Sequence, residues 1–167
     1  ILNTSAATAS DSPVIFLAYF ANEYGYFPEG VDFDKYTIPI TSQTLRNFGV
    51  EKFKIYRANF NKWKPKRKYS LVCSFGFIEH FSNAEEIVKK HIDLMKPGGK
   101  IIIEVPNFGG FNGFLHKLVD RPNLEKHNTR IMNLDFFREI AQENNLKILY
   151  LDYFGSFHFQ WGYGRLK

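Results

Sequence analysis

The sequence predicts an α/β fold: a doubly wound, mostly parallel sheet with helices on both faces. Two observations carry this. Strand-like segments alternate with helix-length amphipathic ones along the 167 residues, and helical connections between strands imply parallel pairing. In addition, YSLVCSFG (69–76) and IIIEV (101–105) are near-continuously apolar, as strands covered on both faces are.

The first strand is read at residues 1–4. A helix follows, with Asp11 or Ser12 able to cap it, Pro13 near its first turn and Gly25 at its end; Val14, Leu17, Ala18 and Ala21 recur at helical spacing. FPEGVDF (27–33) reads as a short strand ending in Asp32. Residues 35–48 form a weaker helix, because Pro39 must sit in its first turn or break it. KFKIYRA (52–58) alternates as a strand does. After the apolar strand at 69–76, SNAE (82–85) matches a capping box, with Ser82 as cap and Glu85 three residues on. The helix it opens runs to Met95, with Ala84, Ile87, Val88, His91, Ile92 and Met95 on one face. KPGG (96–99) is a turn before the strand at 101–105. Residues 107–132 are rich in Gly, Asn and Phe and lack a period. A helix at 134–144 and a strand at 147–154, KILYLDYF, complete a single domain over residues 1–167.

Bulk properties narrow the classes. Aromatic residues make up 17% of the chain, enough to fill a core and also to line a pocket for a flat ligand. One cysteine excludes an internal disulfide framework and points to a reducing, cytoplasmic setting. No apolar run approaches the roughly 20 residues of a membrane helix, so neither a membrane role nor a charged-then-apolar signal segment is expected. The net charge of +5 permits an anionic partner without requiring one. KWKPKRKY (62–69) gathers five cations among aromatics. A nucleic-acid role would use them on phosphates, but a solvated loop between strands is the favoured reading.

In a doubly wound sheet, ligands sit beyond the carboxyl ends of the strands, where the winding reverses. The segments to inspect are therefore 4–9, 32–33, 59–60, 74–80 and 106–107.

There the residues become familiar. Glu79-His80 after a strand, a helix, Lys96-Pro97-Gly98-Gly99, and a strand ending in Pro106-Asn107 together resemble the small-molecule branch of the class I S-adenosylmethionine-dependent methyltransferases. EGVDFD (29–34) is similar to that family's acidic second motif. The resemblance implies a Rossmann-like sheet, here lacking the usual first helix and last strand, and S-adenosylmethionine as cofactor. It places Asp32 on the ribose hydroxyls and Phe33 on the adenine face. Asn59 stands where an acid often takes the adenine amino group, and its amide oxygen can accept that bond. Phe60 and Ser74 lie at neighbouring strand ends. The structural alternative for Asp32 is a cap for the next helix.

The family's glycine loop falls on Ser5, Ala7 and Ala9. Glycine serves there because the chain turns with positive φ close to the ligand. Three readings stay open: the loop binds in an altered geometry, it has lost binding, or residues at this end of the sequence are substituted ones.

His80 is the candidate general base, able to take a proton from a hydroxyl or amine during transfer, and Glu79 is a candidate contact to the cofactor or to a polar group of the substrate, with a packing role as its alternative. A structural histidine is the alternative. His116, His127 and His158 match no metal spacing, so no metal site is expected; His127-Asn128 is a candidate for the acceptor pocket. His91 reads as a core histidine and Cys73 as a buried, inert thiol. The expected function is methyl transfer to the O or N of a small-molecule acceptor, of aromatic or apolar character given the phenylalanines at 108–114. The alternative is a catalytically inactive methyltransferase-like domain used for binding or assembly; an RNA methyltransferase comes third, and nucleic acid is not favoured as a partner.

Overall fold

The computed structural model describes residues 2–4 and 12–155. These fall into two compact units, one within Ile1–Ile78 and Lys90–Glu104, the other within Glu79–Lys89 and Val105–Lys167.

The first unit holds a five-stranded parallel sheet. Its strands are β1 (Leu2–Thr4), β2 (Glu29–Asp32), β3 (Lys54–Arg57), β4 (Tyr69–Phe75) and β5 (Met95–Glu104), in the order β3-β2-β1-β4-β5. All four pairings are parallel, with Leu2 opposite both Gly30 and Cys73. The winding therefore reverses at β1 and β4. Helices α1 (Ser12–Tyr24) and α2 (Thr37–Asn47) carry the chain from β1 to β2 and from β2 to β3.

Sequence dictates these two helices simply. Gly25 ends α1 with φ 66°, a conformation open to glycine at no steric cost. Pro39 lies in the first turn of α2, where its missing N–H has no intrahelical partner to lose. Leu17 and Ala18 of α1 and Leu45 of α2 pack with Cys73 and Phe75 of β4 into one apolar cluster. Leu45 is fully buried, a burial that contributes about 1.5–3 kcal/mol. A second cluster in this unit joins Phe60, Phe77 and His91, with the Phe60 and His91 ring centres 4.4 Å apart.

At the amino ends of the strands, Glu29 is buried and receives the Arg67 guanidinium and the Tyr69 hydroxyl, the latter at 2.7 Å. This clamp joins β2 to β4, the two strands that flank β1. Burial beside the Glu29 carboxylate pushes the Tyr69 phenol well above its usual range.

The expected turn at 96–99 is absorbed into β5 as an excursion. Tyr69 pairs with Met95 but Leu71 pairs with Lys100, so β5 spends extra residues there. Gly98 takes φ 73°, and a Cβ on Gly99 would lie 2.9 Å from the Lys96 carbonyl.

A short 3₁₀ turn (Ile78–His80) leads from the first unit into the second, and α3 (Ala84–Asp93) is divided between them. The second unit also contains α4 (Gly110–Val119), α5 (Arg121–Leu124), a 3₁₀ turn (Thr129–Ile131) and α6 (Leu134–Glu143). Asn133 caps α6 by accepting from the Phe136 amide at 2.9 Å.

Several expectations are corrected. The segment 147–154 is not a strand: no described strand pairs with it, and Leu149, Tyr150 and Phe154 are exposed. A segment rich in aliphatic and aromatic residues supplies β propensity but not a partner. The strand around 101–105 is half-buried rather than buried, with Ile102 exposed, because β5 has a described neighbour only on its β4 side. The stretch 107–132 is largely helical. Its period was hidden because α4 exposes Phe111, Phe114 and Leu118 while burying His116, the inverse of the usual amphipathic code. The helix expected to reach Met95 ends at Asp93, and its start moves to Ala84, where the Asn83 side chain donates to Glu86 at 2.7 Å. Among the described residues no helix is long and apolar enough to cross a membrane.

Candidate functional site

In the first unit, the carboxyl ends of β2 and β3 lie side by side. Asp32 pairs in register with Arg57, and the Ala58 amide donates to the Asp32 carbonyl at 2.8 Å. Asp32 is 5% exposed, and its Oδ1 accepts the Asp34 amide at 2.8 Å. That bond holds the carboxylate at the strand end; Asp32 does not cap α2, whose N-cap is Tyr36 without a side-chain bond. Phe33 beside it is 61% exposed, an uncovered ring at the strand end. Asn59 follows β3; its Oδ1 accepts from the Asn61 amide at 2.9 Å, and a carbonyl oxygen keeps a second lone pair for another donor.

Two other candidates lie deeper. Ser74 is fully buried within β4, opposite Asn3 and Ile103. Phe60 is buried against Phe77 and His91 and carries Lys90 over its ring. Ser5, Ala7 and Ala9 lie outside the described residues. Glu104, which closes β5, is an acid that sequence reasoning passed over: burial raises its carboxyl above the ordinary value. A single acid at the end of the apolar run IIIEV was the available signal.

The second unit gathers Glu79, His80 and His127. Glu79 is 2% exposed and its Oε1 lies 3.8 Å from His80 Nε2, too far for a hydrogen bond. The His80 and His127 rings are 4.7 Å apart, and Phe108 meets the His127 ring edge-on at 5.1 Å. The segment carrying His127 is pinned by its neighbour. Asn128 donates its amide to the Glu79 carbonyl at 2.6 Å and its side chain to the Phe81 carbonyl at 3.0 Å. Burial, and next the neighbouring His127, hold the His80 imidazole below its ordinary pKa, while a backbone hydrogen bond with Lys126 opposes them. At neutral pH the ring is therefore a neutral base with an available lone pair. Sequence singled out His127-Asn128 only for the acceptor pocket; its meeting with Glu79-His80 has no short-range spacing to reveal it.

A parallel sheet of this order, reversing beside a strand that ends in a buried aspartate, is a Rossmann-like architecture. Residues 14–151 match the family described as "Methyltransferase domain", and the chain belongs to that family. No curated protein matches the sequence. Among solved structures, the chain is similar to the plantazolicin methyltransferase BpumL in complex with SAH, with 11% identity and TM-score 0.61 over 86% of this chain and 54% of that one. It is also similar to an S-adenosylmethionine-dependent methyltransferase from Clostridium acetobutylicum ATCC 824, with 12% identity and TM-score 0.53 over 71% and 45%. A third is coclaurine N-methyltransferase bound to N-methylheliamine and SAH, with 13% identity and TM-score 0.50 over 61% and 29%. At these identities the likeness is one of fold. The chain spans about half or less of the length of these structures.

Proposed function

We propose that this chain binds S-adenosylmethionine at the rim of its sheet and supports methyl transfer to an oxygen or nitrogen of a small-molecule acceptor. The observation that carries the reading is Asp32: a buried carboxylate closing β2 beside β1, with the exposed Phe33 ring next to it. The cofactor supplies an electrophilic methyl group on a sulfonium. The residues fit it. Asp32 is a carboxylate at the end of β2, the group type that accepts from ribose hydroxyls, Phe33 offers an uncovered face for a purine, and Asn59 has acceptor capacity for an exocyclic amine. His80, five residues beyond the end of β4, is the group to take the proton that the acceptor releases; Glu79 stabilises the imidazolium that results. Membership of a methyltransferase family and neighbours whose structures hold SAH support this reading. A cytoplasmic location and an aromatic or apolar acceptor belong to the same proposal.

Calorimetry with S-adenosylmethionine and with its demethylated product tests it. Saturable heat that Asp32→Ala reduces by about tenfold or more in affinity is expected. No heat from a chain shown by circular dichroism to be folded would overturn the reading.

A second reading, a catalytically silent domain, is favoured by the absence of glycine at positions 5, 7 and 9. Binding that appears only after glycine is placed at all three positions would establish it.

A further inference from the structure

We propose that Glu79, His80 and His127 form a binding site for a divalent first-row transition ion of the Zn²⁺ or Co²⁺ type. One ligand atom from each residue lies within 4.8 Å of the other two. Two imidazole nitrogens and a carboxylate oxygen are a donor set suited to such ions, whereas Mg²⁺ and Ca²⁺ favour all-oxygen sites.

Three features make the cluster more than a chance approach. The carboxylate is buried and the His80 side chain is 34% exposed, so the site combines a desolvated anionic ligand with a path for an ion to enter. Its two halves come from distant parts of the sequence and are tied together by the main-chain bond from Asn128 to Glu79 and the side-chain bond from Asn128 to Phe81. Ligand orientation is thus set before an ion arrives. Finally, the ring orientations are constrained from outside the cluster: Phe108 packs on His127, and the Lys126 backbone bonds His80, as neighbouring groups orient metal-bound histidines.

Three protein ligands leave coordination positions open, as in catalytic rather than structural sites. Water or a hydroxyl-bearing acceptor would fill them. A bound ion occupies the His80 lone pair, so in the loaded form His80 no longer serves as a free base. The proposal does not rest on the methyl-transfer reading, because its readout is metal binding without cofactor or acceptor.

The test uses the untagged, chelator-stripped chain. Co²⁺ is titrated and followed by its visible absorption, Zn²⁺ is used as competitor, and Mg²⁺ as control. The expected result is one saturable Co²⁺ site displaced by Zn²⁺ and insensitive to Mg²⁺. Affinity should fall by more than about tenfold in each of His80→Asn, His127→Asn and Glu79→Gln, and stay unchanged in Glu143→Gln, an exposed carboxylate outside the cluster. Because Glu79→Gln removes a buried group, the two histidine variants, with folding checked by circular dichroism, decide the matter. Absence of a saturable Co²⁺ signal, preference for Mg²⁺, or unchanged affinity in the folded histidine variants would overturn the proposal.

Discussion

The main-chain amide of Asn128 reaches the carbonyl of Glu79 at 2.6 Å, which locks the segment bearing His127 to the turn bearing His80. The Asn128 side chain adds a bond to the Phe81 carbonyl and accepts from the Arg130 amide at 3.3 Å. Asn128→Ala keeps the main-chain bond and loses both side-chain ones. It should cost about 1–2 kcal/mol in urea denaturation. An unchanged midpoint and slope would show that other contacts hold the segment.

Tyr69→Phe removes the hydroxyl that donates to Glu29 at 2.7 Å and leaves the buried carboxylate to Arg67 alone. A hydrogen bond to a charged group contributes about 1.5–3 kcal/mol. Chemical denaturation of wild type and variant should show a loss of that order, with Asp32, Phe33 and Asn59 untouched. A neutral substitution would mean that Arg67 satisfies Glu29 unaided.

The lowered pKa of His80 sets a pH dependence. As pH falls, the unfolded chain takes up this proton near the ordinary value of about 6.5, before the folded chain does. Between that value and the lowered folded one the unfolded state holds more protons, so unfolding free energy rises with pH and levels off above the ordinary value. Denaturation in chelator from about pH 5 to 7.5 should show this rise for wild type, and His80→Gln should flatten it. Equal slopes in the two would remove His80 as the source.

Cys73 sits within β4 at 4% exposure, and burial pushes its thiol up to about 11. Only roughly a thousandth of it is thiolate at pH 8. A disulfide reagent should therefore leave the native thiol unreacted over minutes and modify it promptly in denaturant. Fast native reaction would show that β4 opens to solvent.

The strands and helices that position Asp32 were legible because each carries its own local code. The sequence EGVDFD ends a strand in an acid, Gly25 stops a helix, and the apolar run at 69–76 marks a strand in the sheet. The pairings between distant parts of the sequence were not. Nothing local tells Glu29 that it will meet Tyr69, or Glu79 that it will meet His127, because such contacts are set by how the chain returns rather than by spacing. The segment at 147–154 failed for the opposite reason: its local code favours a strand, but strand formation needs a neighbour. In α4, Gly113 closely overlies the Phe108 carbonyl, where a Cβ would lie 1.9 Å away. A glycine-rich stretch that looks like loop chemistry is there a requirement of helix entry.

The excursion in β5 has a consequence for how the sheet can fail. From Leu71 onward β4 and β5 run in step as far as Phe75 and Glu104, and a shift of one residue would reverse which isoleucine side chains point inward. Gly98, held in the left-handed region, acts as a peg at one end of that run. To slide by one residue, the edge would have to break that ladder and displace Gly98 together, so the excursion weighs against misaligned edges.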